Sequence, residues 1–151
     1  MMKREVVLTR VFDAPRALVF KAWTDPKHMA QWWGPRGFTN PVCEIDARPN
    51  GAIRIDMTGP DGVVYPMTGN FREVVAPERL VFMAVARDKD GTALLESLTT
   101  VTFEEQGGKT KLTVKASAVG LVPFAPQMLA GMQEGWSQSL DRLGELVDQA
   151  Q

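Results

Sequence analysis

Few side chains in this 151-residue chain can make or break bonds: it has one cysteine, Cys43, one histidine, His28, and one tyrosine, Tyr65. That scarcity excludes an internal disulfide and argues against a Cys/His metal site. A nucleophile–histidine pair would require His28 itself. In "CEIDAR", Cys43 shares a face with Ile45 and Ala47, so an inert, packed thiol is expected. His28 lies between Lys27 and Met29 in a polar first helical turn and reads as solvated. No metal and no cofactor are expected. The remaining acid–base candidates are Glu96, Glu73 and Tyr65. Both glutamates fall inside strand patterns rather than turns. A buried carboxylate has a raised pKa and can serve as general acid or base, whereas a solvated strand glutamate does neither. Glu96 shares parity with Leu94 and Leu98 but not with Val101 and Phe103, which leaves a bulge or an outward face open.

A second set of residues suits binding rather than bond-making. Met57, Tyr65, Met67 and Phe71 have inward strand parity, and Met128, Met132 and Trp136 fall on a helix. With Trp33 and Phe38 from "QWWGPRGF" they are the candidate ligand-binding residues. Methionine is flexible and polarizable, so it adapts to varied apolar shapes. Such a pocket would bury apolar ligand surface at about 25 cal/mol per Å², and should exceed about 300 Å³. Gly131 and Gly135 lie four apart on that helix and withhold side-chain bulk, either for the pocket or for close packing against a sheet.

These residues are positioned by elements that the sequence marks clearly. "EVVLTRVF" (5–12) fits a strand. "DAPRALVFKAW" and "TDPKHMAQWW" each open a helix with a capping residue and a proline, Asp13 with Pro15 and then Thr24 or Asp25 with Pro26. Adjacent residues are about 100° apart around a helix, so Trp32 and Trp33 cannot both enter one core. Trp32, one turn from Met29, is expected to be the anchor, with Trp33 and Phe38 at a cavity mouth or on the surface. Six strands joined by tight turns follow from about residue 42 to 118, with Gly69 marking a bend or bulge. Arg54 alternates against Ile53 and Ile55 and should be exposed. Leu129, Met132, Trp136, Leu140, Leu143 and Val147 then recur at the helical period, which predicts one long helix over 126–150. The order is β-α-α-β6-α in a single domain, 1–151. An antiparallel sheet with one polar face must bury the other, and only the last helix is long enough to cover it. A curved seven-stranded antiparallel sheet of the α+β class, wrapped around that helix, follows.

Composition narrows the partners. Lys plus Arg (17) balances Asp plus Glu (18), so no long-range field favours nucleic acid. No run reaches the roughly 18 apolar residues of a membrane span, and the N-terminus lacks a signal-peptide pattern, which points to a cytoplasmic protein without membrane insertion.

Seven segments, "TRVFDAPRALVFKAWTDP", "QWWGP", "DARPNGAIRIDMTGPDG", "GNFREVVAPERLVF", "ESLTTVTFEE", "GGKTKLTV" and "GWSQSLDRLGELV", occur in order over roughly residues 5–147. Together they resemble the homologues of the activator of the 90-kDa heat-shock protein ATPase, within the START-like (SRPBCC) superfamily of helix-grip proteins. The resemblance implies a birch-pollen-allergen-like fold with a hydrophobic cavity between sheet and helix. The eukaryotic activator is similar only through this type of domain, so stimulation of a chaperone ATPase is not the expected activity. Many relatives carry a polar residue or histidine shortly before the "GW"; Met132 stands at such a place here. The resulting expectation is a non-catalytic binder of a small hydrophobic or amphipathic molecule. The alternatives are a cyclase/dehydratase-type enzyme using carboxylate and tyrosine acid–base chemistry, and a protein-interaction module, chaperone accessory or homodimer using the aromatics around Trp32, Trp33 and Phe38.

Overall fold

The computed structural model describes residues 2–149. Alternation in "KREVVLTRVF" produces β1 (Lys3–Phe12), which buries Val6, Leu8 and Phe12 and leaves Val7 and Val11 outside. Two short helices follow, α1 (Arg16–Thr24) and α2 (Pro26–Trp32). Six strands come next: β2 (Thr39–Ile45), β3 (Ala52–Thr58), β4 (Val64–Val75), β5 (Arg79–Arg87), β6 (Ala93–Gln106) and β7 (Lys109–Gly120). They form one antiparallel sheet in the order β1-β7-β6-β5-β4-β3-β2, so the first strand closes on the last beside the meander. The curved sheet grips a C-terminal helix, as expected.

Two local expectations are corrected, at Asp13 and Gly69, and one choice, between Thr24 and Asp25, is decided. Asp13 does not cap α1; the helix starts after Pro15, whose carbonyl accepts from the N–H groups of Leu18 and Val19. Asp25 is the side chain that caps, accepting from the Lys27 N–H at 2.9 Å with Pro26 in the first turn. Gly69 is not a bulge; it permits close backbone approach, since a Cβ there would stand 2.0 Å from the Met83 carbonyl oxygen. The bulge lies between Phe71 and Glu73, and it reverses the parity so that Val75 points outward.

The long C-terminal helix is two helices, α3 (Ala125–Ala130) and α4 (Met132–Gln149). At the break the guanidinium of Arg4 donates to the carbonyls of Leu129 (3.0 Å), which also accepts from the Gly131 N–H, and Ala130 (3.1 Å), capping the end of α3. Leu140, Leu143 and Val147 of α4 are buried against the sheet. Gly144 allows the close approach of β1, because a Cβ there would meet Phe12 Cε1 at 3.2 Å. Arg10 of β1 pairs with Asp141 and donates to Ser137 Oγ at 2.8 Å, holding the same contact at its surface.

One end of the grip is filled by aromatic rings. Trp23 packs edge-on to Trp32 at 4.6 Å and to Phe103 at 6.3 Å, and Phe71 packs on Phe82 at 6.1 Å. The other end is not filled.

Candidate functional site

Small side chains create the unfilled space. Ser97 of β6 lies opposite Ala84 of β5 on one side and Ala118 of β7 on the other, forming a row of three small residues across the sheet. Gly135 and Ser139 of α4 face this floor, and a cavity of about 240 Å³ remains between them. Its walls are apolar, lined by Met57, Met67 and Met132 together with Trp33 and Trp136. The two indoles meet at 5.5 Å and 84°, forming a corner. Thr99 and Ser139, both buried, and Ser97 are the hydroxyl-bearing residues of its lining besides Tyr65. Tyr65, 36% exposed, stands at its open side.

The wall formed by Trp33, Gly34 and Pro35 is irregular backbone and needs external partners. The α2 helix ends at Trp32, so its last carbonyls lack intrahelical donors. Asn40 Nδ2 donates to Ala30 (3.0 Å) and Trp33 (2.8 Å). Arg142 of α4 donates to the carbonyls of Gln31 (2.9 Å), Trp33 (3.1 Å), Gly34 (2.9 Å) and Pro35 (3.1 Å). Burial, and then the neighbouring Arg36, lower the Arg142 pKa from its ordinary value. Arg36 pairs in turn with Glu145, whose carboxyl is held below its usual range chiefly by that hydrogen bond. Gly34 has a φ of +92°, and a Cβ there would lie 2.7 Å from Met57 Sδ, so this turn requires glycine.

The structure sorts the candidate residues. Trp33, Met57, Tyr65, Met67, Met132 and Trp136 line one cavity. Phe38 is half-buried, with its ring 6.2 Å from that of Tyr65; it flanks the open side without entering the wall. Phe71 is a core residue, since it lies at the end of β4 that the aromatic cluster fills. Met128 belongs to α3, beyond the break at Gly131, and is not in the wall. Glu96 and Glu73 are both exposed, Glu73 pairing with Arg79 at 3.4 Å. The inner face of β6 is Leu95, Ser97 and Thr99, so a carboxylate mechanism loses its residues. Among the residues lining the cavity only Tyr65 is titratable. Trp32 is fully buried and Trp33 is in the cavity wall, so the paired tryptophans do not form an exposed partner patch.

The lone histidine and cysteine lie elsewhere. His28 is half-buried rather than solvated, with Nδ1 3.6 Å from the Asp25 carboxylate. Cys43 is half-buried, and burial pushes its thiol up to about 11. The thiolate is the nucleophile, so at pH 8 Cys43 should react with iodoacetamide about 100-fold more slowly than an exposed thiol. The rate should climb about tenfold per pH unit towards pH 11, as followed by intact mass. Labelling at pH 8 as fast as free cysteine would contradict the packing described.

The span of the sequence match decides the relationship. Residues 13–148 match the model of the activator of Hsp90 ATPase homolog 1-like proteins. The chain belongs to this family. Its fold is that of a Rhizobium leguminosarum protein, 26% identical with a TM-score of 0.87, covering 98% of this chain and 96% of that one. A Chromobacterium violaceum protein is 29% identical with a TM-score of 0.79, covering 95% and 96% of the two chains. A family member from Silicibacter pomeroyi is 23% identical with a TM-score of 0.81, covering 98% and 100%, and it shows the fold alone. No match was found among curated proteins. The family and fold are those of a ligand-binding or accessory domain in general. Among the described residues, no helix is long and apolar enough to cross a membrane, and no group of three or more His, Cys, Asp or Glu could hold a metal ion.

Proposed function

We propose that this chain binds a small apolar molecule in the cavity between sheet and α4. The observation that carries this reading is Gly135. A glycine inside a helix costs up to about 1 kcal/mol against alanine, so it needs a reason. Close packing is not that reason, because a Cβ at Gly135 would meet nothing nearer than Pro35 Cγ, at 3.9 Å. What Gly135 preserves is the space above the small-residue floor.

The volume counts against a drug-sized occupant. About 240 Å³ falls below the 300 Å³ expected of the pocket, and below the roughly 300–1,000 Å³ of sites for drug-sized ligands. The occupant is therefore compact; an apolar cavity of about 150 Å³ already takes up benzene. Native mass spectrometry of the purified protein tests the proposal, before and after equilibration with naphthalene. A 1:1 adduct, native or naphthalene, is expected. Apo protein throughout, with no naphthalene-dependent rise in melting temperature, would refute it.

A further inference from the structure

Resting on that binding reading, we infer that the occupant is an uncharged, flat aromatic molecule of one or two rings bearing a single hydroxyl or carbonyl group. Three features of the wall define this class.

The first is charge. No carboxylate, ammonium, guanidinium or imidazole lines the cavity, and Tyr65 stands only at its open side. An ion moved from water into such a site loses its hydration and gains no partner, which costs several kcal/mol. The site therefore rejects carboxylates and amines of otherwise suitable shape.

The second is shape. Trp33 and Trp136 present perpendicular rings, so a flat ring in their corner meets the face of one indole and the edge of the other. Both are favoured aromatic arrangements, stabilising beyond area burial alone. Met57, Met67 and Met132 line the same cavity, and thioether–aromatic contacts with a bound ring add to the preference. An alkyl chain of equal area gains none of these terms.

The third is the polar end. Ser97 and Thr99 lie two apart on the inner face of β6, and Ser139 faces them from α4. Thr99 and Ser139 are 1% and 6% exposed, so both residues lie within the fold rather than at its surface. A hydroxyl can donate or accept, so this group of three matches a phenol or a ketone equally. A ligand lacking such an atom leaves them unpaired, which is the strongest form of discrimination a small site has.

Calorimetric titration with four probes tests the class: 2-naphthol, naphthalene, 2-naphthoate and 1-decanol. One hydrogen bond gives about tenfold, so 2-naphthol should bind roughly tenfold more tightly than naphthalene. The 2-naphthoate anion should bind at least about 100-fold more weakly than 2-naphthol. Decanol should trail 2-naphthol by at least about tenfold, through its missing ring contacts. In the triple variant Ser97→Ala/Thr99→Val/Ser139→Ala, the advantage of 2-naphthol over naphthalene should vanish while naphthalene affinity holds. Equal binding of 2-naphthoate or decanol, or a naphthol preference that survives the triple substitution, overturns the class. If those wrong probes bind and Gly135→Leu abolishes their binding, the cavity reading survives and only the class fails. If no probe binds at all, the binding reading itself falls.

Discussion

Gly135→Leu should abolish ligand binding while the fold is retained, and Gly135→Ala should raise stability while weakening binding. The two outcomes share one cause. Gly135 faces the cavity, and its nearest prospective neighbour, Pro35 Cγ at 3.9 Å, is at ordinary contact distance. A leucine side chain therefore grows into a space of about 240 Å³ and takes the place of the ligand. Affinity should fall by at least about 100-fold, which corresponds to about 2.7 kcal/mol. Alanine removes the helical penalty of glycine, so up to about 1 kcal/mol of stability is gained, or roughly 2–4 °C in melting temperature for a chain of this size. Its single methyl group occupies only part of the cavity, so binding weakens without being lost. Gly144→Ala is the informative control. There a Cβ would press on Phe12 Cε1 at 3.2 Å, so the same substitution on the same helix should not stabilise. Calorimetry for affinity and thermal melts for stability separate the cases. A destabilised Gly135→Ala, or a Gly135→Leu that binds as the wild type does, would show that the glycine serves packing instead.

Sequence and structure agree where one face of an element is dry and the other wet. Ile53 and Ile55 against Arg54 give a parity that cannot be misread, because a shift of one residue would bury a guanidinium. The order of elements, the meander and the grip follow from such patterns. The cavity is only half legible in the same way. Its methionines and tryptophans stand out as apolar residues of inward parity, but its floor consists of side chains that are missing or small. Ala84 and Ala118 mark the site by what they do not fill, and periodicity registers only what is present; Gly135 stands out solely because a glycine is unusual inside a helix. The β6 strand misleads more actively, since Leu98 is 47% exposed while Ser97 and Thr99 face inward. Around the site a hydrophobicity rule is pulled to the wrong face by Leu98, although Val101 and Phe103 further along the strand still mark the inward one. Arg142 carries no local signal at all. Its four carbonyl partners lie 107 to 111 residues away in the chain, and they depend on where α2 stops. The helix break at Gly131 has a similar origin, since the Arg4 side chain that donates to its carbonyls comes from β1, 125 and 126 residues away in the chain.

The largest expected loss of stability follows from Trp32→Ala, and its size rests on a proline six residues earlier. In a continuing helix the Ala22 carbonyl would accept from the N–H of residue 26, but residue 26 is Pro26 and has none. The Nε1 of Trp32 supplies the missing donor, at 2.9 Å, from the last turn of α2. One side chain therefore fills the core beside Trp23 and completes the end of α1. Truncation to alanine removes both contributions and should cost about 3–5 kcal/mol, comparable to the whole stability of a marginal domain. Trp32→Phe separates the two. It keeps a ring against Trp23 but leaves a buried carbonyl without its donor, so it should still cost about 1–3 kcal/mol for the unpaired group. Denaturant unfolding of the three proteins gives the ordering directly. Trp32→Phe as stable as the wild type would mean that packing alone holds this tryptophan. A loss under 1 kcal/mol for Trp32→Ala would mean that the aromatic cluster does not close this end of the grip. Trp33→Ala gives the functional contrast. Trp33 is half-buried in the cavity wall, so its removal should widen the site and lower affinity with a smaller loss of stability than at Trp32. Two neighbours at the end of one short helix thus divide the work: Trp32, its last residue, holds the end of the grip closed so that Trp33, just beyond it, can stand at the face of a cavity.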